Sequence, residues 1–326
     1  MASEDFIPVL EGAFGLQILK HQPVRGGDIA KSYFLQTATG PLFVKTLEGP
    51  QAYDMLTAEA EGLTALKEPG VIAVPEVYQC TKTGFGAALL MEHIPAGNTS
   101  DAAQEALGRS LALLHQSGSD AFGWSRNNYI GSLPQQNPRE QRWANFFARH
   151  RLAFQFDLAL SSGLLDPGQV PAVNFMIQKI ESLVPEVRPA LLHGDLWGGN
   201  YLISKDETPY LIDPSVYYGH SEVDLAMSRL FGGFSSRFYD AYFEVSPAQP
   251  GIEDRISLYQ LYYLLVHLNI FGRSYLASVT DAVGAVLEPI ELNSLHLGEF
   301  HVYEGFSAIF LRVQPRYWSI APRVFR

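Results

Sequence analysis

The run His193-Gly194-Asp195-Leu196-Trp197-Gly198-Gly199-Asn200, followed after a polar turn by Tyr210-Leu211-Ile212-Asp213-Pro214, decides how this 326-residue chain is to be read. An aspartate, an asparagine five residues on and a second aspartate closing an apolar strand form the set that metal-assisted phosphoryl transfer from a nucleotide needs. Asp195, carried on a loop, is the candidate base, because an attacking hydroxyl needs a carboxylate within hydrogen-bond reach to orient it and take its proton. Asp213 and Asn200 are the candidate Mg²⁺ ligands, since that ion takes hard oxygen donors and keeps waters and phosphate oxygens in its remaining positions. Gly198 and Gly199 let the backbone turn so that the Asn200 amide faces the same cavity. His193 reads as a structural member of this loop. Asp224 opens a helix, where simple capping and a role bracing the loop are both open.

Upstream, the first ninety residues read as β-rich with one helix. Leu16–Val24, Ala30–Gln36 and Leu42–Leu47 alternate or run apolar and are joined by tight turns, and Glu76–Gln79 and Ala87–Met91 complete a small sheet. A helix is expected from about Asp54 to Lys67, stopped by Pro69-Gly70. Lys45 ends an apolar strand and is the candidate phosphate contact. At about 100° per residue Glu59 falls within the arc of Leu56, Leu63 and Leu66, whereas Glu61 lies about 140° from Leu56. An inward carboxylate needs a buried cation, so Lys45 is expected to pair with Glu59. Gly26-Gly27-Asp28 is the candidate phosphate turn, and Met91, Glu92, His93 and Ile94 are expected to offer backbone groups to a nucleotide base as a hinge. After Met91 a helical period takes over, with helices expected at about Asp101–Gln116, Trp143–Ser161, Val170–Leu183, Glu222–Leu230 and Ser257–Ser274. The expected division is a nucleotide-binding lobe (1–91), a hinge (92–97) and a catalytic and substrate lobe (98–326).

Composition narrows the chemistry. Lys and Arg number 23 against 34 Asp and Glu, a net charge of −11, which argues against nucleic acid or an anionic membrane as partner. A single cysteine, Cys80, cannot close an intrachain disulfide, and Met1-Ala2-Ser3-Glu4-Asp5 has neither basic patch nor apolar run, so a cytoplasmic location is expected. The most apolar helix, around Leu258–Phe271, is interrupted by Gln260, His267 and Asn269 and reads as a core helix, well short of the ~20 uninterrupted apolar residues a bilayer requires. There is no G-x-G-x-x-G, no Walker-type loop, no G-x-S-x-G and no H-E-x-x-H, which sets aside Rossmann, P-loop, serine-hydrolase and zinc-hydrolase readings. From about Gly305 the chain holds no acid and four arginines, and is read as a tail without assigned function.

Several stretches carry a resemblance. His193–Asn200, Leu211–His220, Asp224–Met227, Leu230–Phe234, Phe122-Gly123-Trp124 with Asn128–Gly131, and Leu258–Tyr262 with His267-Leu268-Asn269 resemble the fructosamine kinase (ketosamine-3-kinase) family. The likeness runs from about Gly12 to Tyr275; the two-glycine turn is shorter than in many members, and residues from about 283 onward form an atypical tail. The resemblance implies an α+β, protein-kinase-like bilobal fold and transfer of the ATP γ-phosphate to the 3-hydroxyl of a ketoamine, free or protein-bound, with ATP and Mg²⁺ as cofactors. Asp195 would be base, Asn200 and Asp213 magnesium ligands, and Lys45 with Glu59 would stand at the phosphates. Trp197 would lie against the substrate, with His220 and Glu222 as further substrate contacts in an acidic cleft suited to a protonated amine. Two other readings fit the Asp/Asn pattern: a kinase of another hydroxylated small molecule, such as an aminoglycoside or choline-like alcohol, and a nucleotide-binding module without transfer activity.

Overall fold

Strand alternation in one β-strand sets the architecture. The computed structural model describes residues 6–24 and 29–287. β1 (Ile18–Val24), β2 (Lys31–Thr37), β3 (Gly40–Glu48), β4 (Val77–Thr83) and β5 (Gly86–Glu92) form one antiparallel sheet in the order β1-β2-β3-β5-β4. On β3, Val44 points into a small apolar cluster with Leu10, Leu35 and Leu90, which α1 (Ile7–Phe14) covers. Because side chains alternate, Lys45 emerges on the other face, toward α2 (Ala52–Lys67). α1 was not anticipated: it is short, begins with a proline in its first turn, ends on left-handed Gly15 and buries only Leu10, and Ile7, Pro8, Val9, Leu10, Ala13 and Phe14 are all apolar, so no polar face marks a helical period.

The remainder is chiefly helical. α3 (Asp101–Leu114), capped by the Ser100 hydroxyl on the Ala103 N–H, packs on α8 (Ser236–Val245). The expected helix over 143–161 is three pieces: α4 (Trp143–Phe147), a π-helical turn (Ala148–Ala153) and α5 (Phe154–Ser161). The wide turn carries Arg151 inside, where its guanidinium lies 4.0 Å over the Tyr217 ring and donates to the Gln136 carbonyl and Asn137 Oδ1. α6 (Val173–Leu183) follows, and α7 (Glu222–Leu230), α9 (Ile252–Phe271) and α10 (Leu276–Val286) complete the bundle. α9 is fully buried along Leu258, Leu261, Leu265 and Leu268, and no helix among the described residues is long and apolar enough to cross a membrane.

Three short strand pairs frame the chemistry-bearing loops. The β6 (Asn128–Ile130) and β7 (Leu133–Gln135) hairpin packs against α2. β8 (Ala190–Leu192) pairs with β11 (Tyr217–Gly219), and β9 (Tyr201–Ile203) with β10 (Pro209–Leu211). Asp195 and Asn200 therefore sit on the loop between β8 and β9, and Asp213 on the one between β10 and β11. Gly62 lets α2 approach: a Cβ there would lie 3.0 Å from Pro214, next to Asp213. Gly26, Gly27 and the C-terminal stretch from 288 lie outside the described residues.

Candidate active site

Backbone constraints shape the Asp195 loop first. Gly194 has φ +83°, and a side chain there would collide with the Ser215 carbonyl, so the two loops touch backbone to backbone. The buried Asp224 carboxylate accepts the N–H groups of His193 (2.7 Å) and Gly194 (2.9 Å) and faces His115 Nε2 at 3.1 Å. His115 Nδ1 in turn meets the Tyr242 hydroxyl at 2.8 Å. Asp224 thus braces the loop rather than capping its own helix. His193 is wholly buried: its Nε2–H donates to the Ile212 carbonyl (2.8 Å), and its Nδ1 accepts the Asp195 N–H (3.2 Å). Burial lowers its pKa and keeps the ring neutral, as this bonding pattern requires. Tyr263 on α9 donates to the Gly194 carbonyl at 2.9 Å.

Held this way, Asp195 meets Asn200, whose Nδ2 donates to the Asp195 carbonyl (2.8 Å) and to its Oδ2 (3.1 Å). Burial, then repulsion from Asp213, pushes the Asp195 carboxyl up to about 7, against the pull of the Asn200 hydrogen bond. Across the cavity Lys45 Nζ donates to Glu59 at 2.7 Å and is ion-paired with Asp213. Burial opposes the lysine's charge, but the two carboxylates outweigh it and raise its pKa, so it stays protonated. Asp213 occupies the left-handed region at φ +55°, a strained setting for a non-glycine residue that turns the carboxylate back to Lys45.

Asp195, Asn200, Asp213, Lys45, Glu59 and Trp197 all line one cavity of about 230 Å³, walled also by Asn128, Tyr129, Tyr263, His267 and Phe271. Trp197 lies 39% exposed, its indole folded over Gly199, where a Cβ would collide with the ring. The donor set suits a divalent cation. Asp213 keeps a carboxylate at the cavity, and the amide of Asn200 spends its N–H₂ on Asp195, which leaves Oδ1 as an oxygen ligand. Among the described residues no cluster of three or more His, Cys, Asp and Glu could hold a metal alone, so phosphate and water oxygens would complete the shell.

Other expected site residues lie elsewhere. Met91, Glu92, His93 and Ile94 do not line this cavity; Glu92 accepts the Glu76 N–H and the His93 ring packs on Phe34 at 4.6 Å. The expected substrate contacts His220 and Glu222 are corrected. Both are buried where α7 meets α9: Glu222 takes a two-point ion pair from Arg255 (2.6 and 2.7 Å), and His220 Nδ1 accepts the Tyr259 hydroxyl at 2.7 Å. A carboxylate so deeply buried must find a cation, and it finds one on a helix the sequence does not bring near. Asn128, Tyr129, His267 and Phe271 were missed as cavity residues; the Asn-Tyr-Ile-Gly and His-Leu-Asn stretches were the only signal for them.

A spectinomycin phosphotransferase crystallised with ADP and spectinomycin shares the fold (TM-score 0.54, 15% identity, 88% of this chain and 94% of that one). The architecture is therefore that of protein-kinase-like phosphotransferases. The Fructosamine kinase family model matches residues 7–289, and the chain belongs to that family. A Synechocystis protein named as a probable ketoamine kinase is 40% identical over 79% of this chain and 87% of its own. A chloroplastic protein-ribulosamine 3-kinase of Arabidopsis thaliana is 39% identical over 84% and 85%. A Thermobifida fusca crystal structure with a fructosamine-3-kinase designation superposes with TM-score 0.76 at 34% identity, covering 85% of this chain and 96% of that one.

Proposed function

We propose that this protein is an ATP-dependent kinase that phosphorylates the 3-hydroxyl of ketoamines formed from sugars and amines, free or on protein lysines. The observation that carries the reading is the convergence of Asp195, Asn200, Asp213 and the Lys45–Glu59 pair on a single cavity. The ketoamine and ribulosamine activities in the names of its relatives support the acceptor class. ATP use is supported by the kinase-like fold, whose spectinomycin-modifying neighbour holds ADP.

Asp195, with its carboxyl displaced to about 7, is placed to orient the substrate hydroxyl and accept its proton. The hydroxyl oxygen then forms its bond to the γ-phosphorus as the bond to the departing ADP oxygen breaks. Asn200 fixes the Asp195 carboxylate through Oδ2, and Asp224 fixes the backbone beneath it. Lys45, positioned by Glu59, supplies positive charge to the phosphates; the geometry has it on Asp213, which would exchange the lysine for a cation. Mg²⁺ held by Asp213 and Asn200 would neutralise charge developing on the phosphates. We place the connector between the lobes at residues 92–97. Phosphate on carbon 3, α to the ketone and β to the amine-bearing carbon 1, is a good leaving group: loss of a carbon-1 proton to an enol expels inorganic phosphate, and water then hydrolyses the resulting imine to free amine and a dicarbonyl sugar, a deglycation repair.

ATP consumption measured with ribulosyl-, erythrulosyl- and fructosyl-lysine against aminoglycosides tests the reading. ADP release with the ketoamines is the expected outcome, and turnover on aminoglycosides alone would overturn it.

A further inference from the structure

Resting on the ketoamine reading, we propose that an aromatic shelf beside Asp195 binds the amine-borne chain of the substrate and selects for apolar chains. His267 and Phe271 on α9 line the same cavity as Asp195 and Trp197. Phe231, just past the end of α7, packs at a tilt against His267 at 4.5 Å, and Tyr275 lies 5.1 Å from the same ring. Phe231 is 40% and Phe271 47% exposed, an uncommon degree for phenylalanine, and the two rings flank His267 at 4.5 and 5.5 Å, an aromatic floor at the edge of the cavity. This floor is tied to the reaction centre. Gly198 of the Asp195 loop touches Gly232 and Gly233, directly after Phe231, while Tyr263 hydrogen-bonds the Gly194 carbonyl from the helix that carries His267.

The direction of the chain follows from the chemistry. Lys45, Asp213 and Asn200 occupy the end of the cavity where phosphates belong, so the rest of the acceptor must leave past Trp197, His267 and Phe271. A ketoamine nitrogen is two carbons from the reacting carbon 3, so whatever the nitrogen bears starts at the Asp195 wall and runs over the shelf. Lys45 is the one lysine or arginine lining the cavity among the described residues, and it is already paired. Arg229, near Phe231 in sequence, is held by Glu253. Among the described residues, a carboxylate or phosphate close to the nitrogen would therefore meet Asp195 and aromatic faces with no lysine or arginine of the cavity lining left to pair with it, whereas the methylenes of a lysine or alkylamine would lose water against the rings.

The test is kcat/KM for three ribulosyl adducts, of methylamine, n-hexylamine and glycine, on the full chain. A methylene fully withdrawn from water is worth about a fourfold factor, and half-withdrawn on an open shelf about twofold, so hexyl over methyl should be on the order of tenfold or more. The glycine adduct should fall below the methyl one. Phe231→Ala with Phe271→Ala should compress the hexyl-to-methyl ratio toward one, and Phe231→Leu with Phe271→Leu should recover much of it. Thermal melts report whether each variant is folded. Phosphorylation of the methylamine adduct with a ratio near one in the unaltered chain would eliminate the shelf and leave the ketoamine reading intact, as would an undiminished ratio in the folded double-alanine variant. Failure of all three adducts to be phosphorylated would overturn both.

Discussion

Acid should unfold this protein partly through one histidine. His220 is buried where α7 meets α9, with its Nδ1 accepting the Tyr259 hydroxyl at 2.7 Å and the Trp143 ring edge-on at 6.4 Å. Burial, then the charge of Arg255 and the His115 ring, brings its pKa down to about 3; Glu222 Oε2, at 3.9 Å from Nδ1, is already engaged by Arg255. The unfolded chain carries this group near 6.5. A histidine that is harder to protonate when folded leaves the native state undisturbed above pH 6.5. As pH falls from there toward about 3, the unfolded chain takes a proton the folded one refuses, and stability declines by about 1.4 kcal/mol per unit. Between pH 7 and pH 5 the loss from this residue is about 2 kcal/mol. Asp195 and Glu59, whose carboxyls are displaced upward, act in the opposite sense, so the measurement must be differential. Urea unfolding of the unaltered chain and of His220→Gln, which keeps an acceptor for Tyr259, at pH 7, 6 and 5 isolates the contribution. The unaltered chain should lose about 2 kcal/mol more than the variant over that interval. Parallel pH dependence in the two proteins would refute a neutral, buried His220.

Other perturbations address the site and its frame. Asp195→Asn should lower kcat by about 10²–10⁴ while nucleotide affinity, read by titration calorimetry, stays within about twofold; near-normal turnover would remove Asp195 from proton transfer. Trp197→Ala should raise the ketoamine KM on the order of tenfold and the ATP KM much less, because the indole overlies Gly199 at the acceptor side, and equal losses in both would show that it only packs. Arg255→Met leaves the Glu222 carboxylate buried without its cation and should cost about 3–5 kcal/mol in urea unfolding; a change below about 1 kcal/mol would mean that water reaches Glu222.

Local chemistry was readable where one element supplies the whole argument. A helical arc of Leu56, Leu63 and Leu66 brought Glu59 inward, and alternation on β3 separated Lys45 from Val44; the two charged groups meet at 2.7 Å. The α9 sequence announced a core helix through its apolar density. By contrast, the break of the 143–161 segment into a π-turn arises because Arg151 reaches partners at Gln136 and Asn137, and no period within the helix reports that.

Residue types and their spacing along the chain determined the α+β class, the Asp-Asn-Asp set and the inward carboxylate, because those follow from periodicity and from what a phosphate and a hard cation demand. Which polar groups face the cavity was decided only by the tertiary structure. Glu222 and His220 follow the short strand Tyr217–Gly219 and carry the polarity of contact residues, yet Arg255 and Tyr259 from a distant helix draw them into the core. Asp224 and His115 lie far apart in sequence yet together brace the Asp195 loop. The free energy of a buried charge or imidazole depends on partners contributed by remote segments, and those partners are chosen by packing rather than by local pattern.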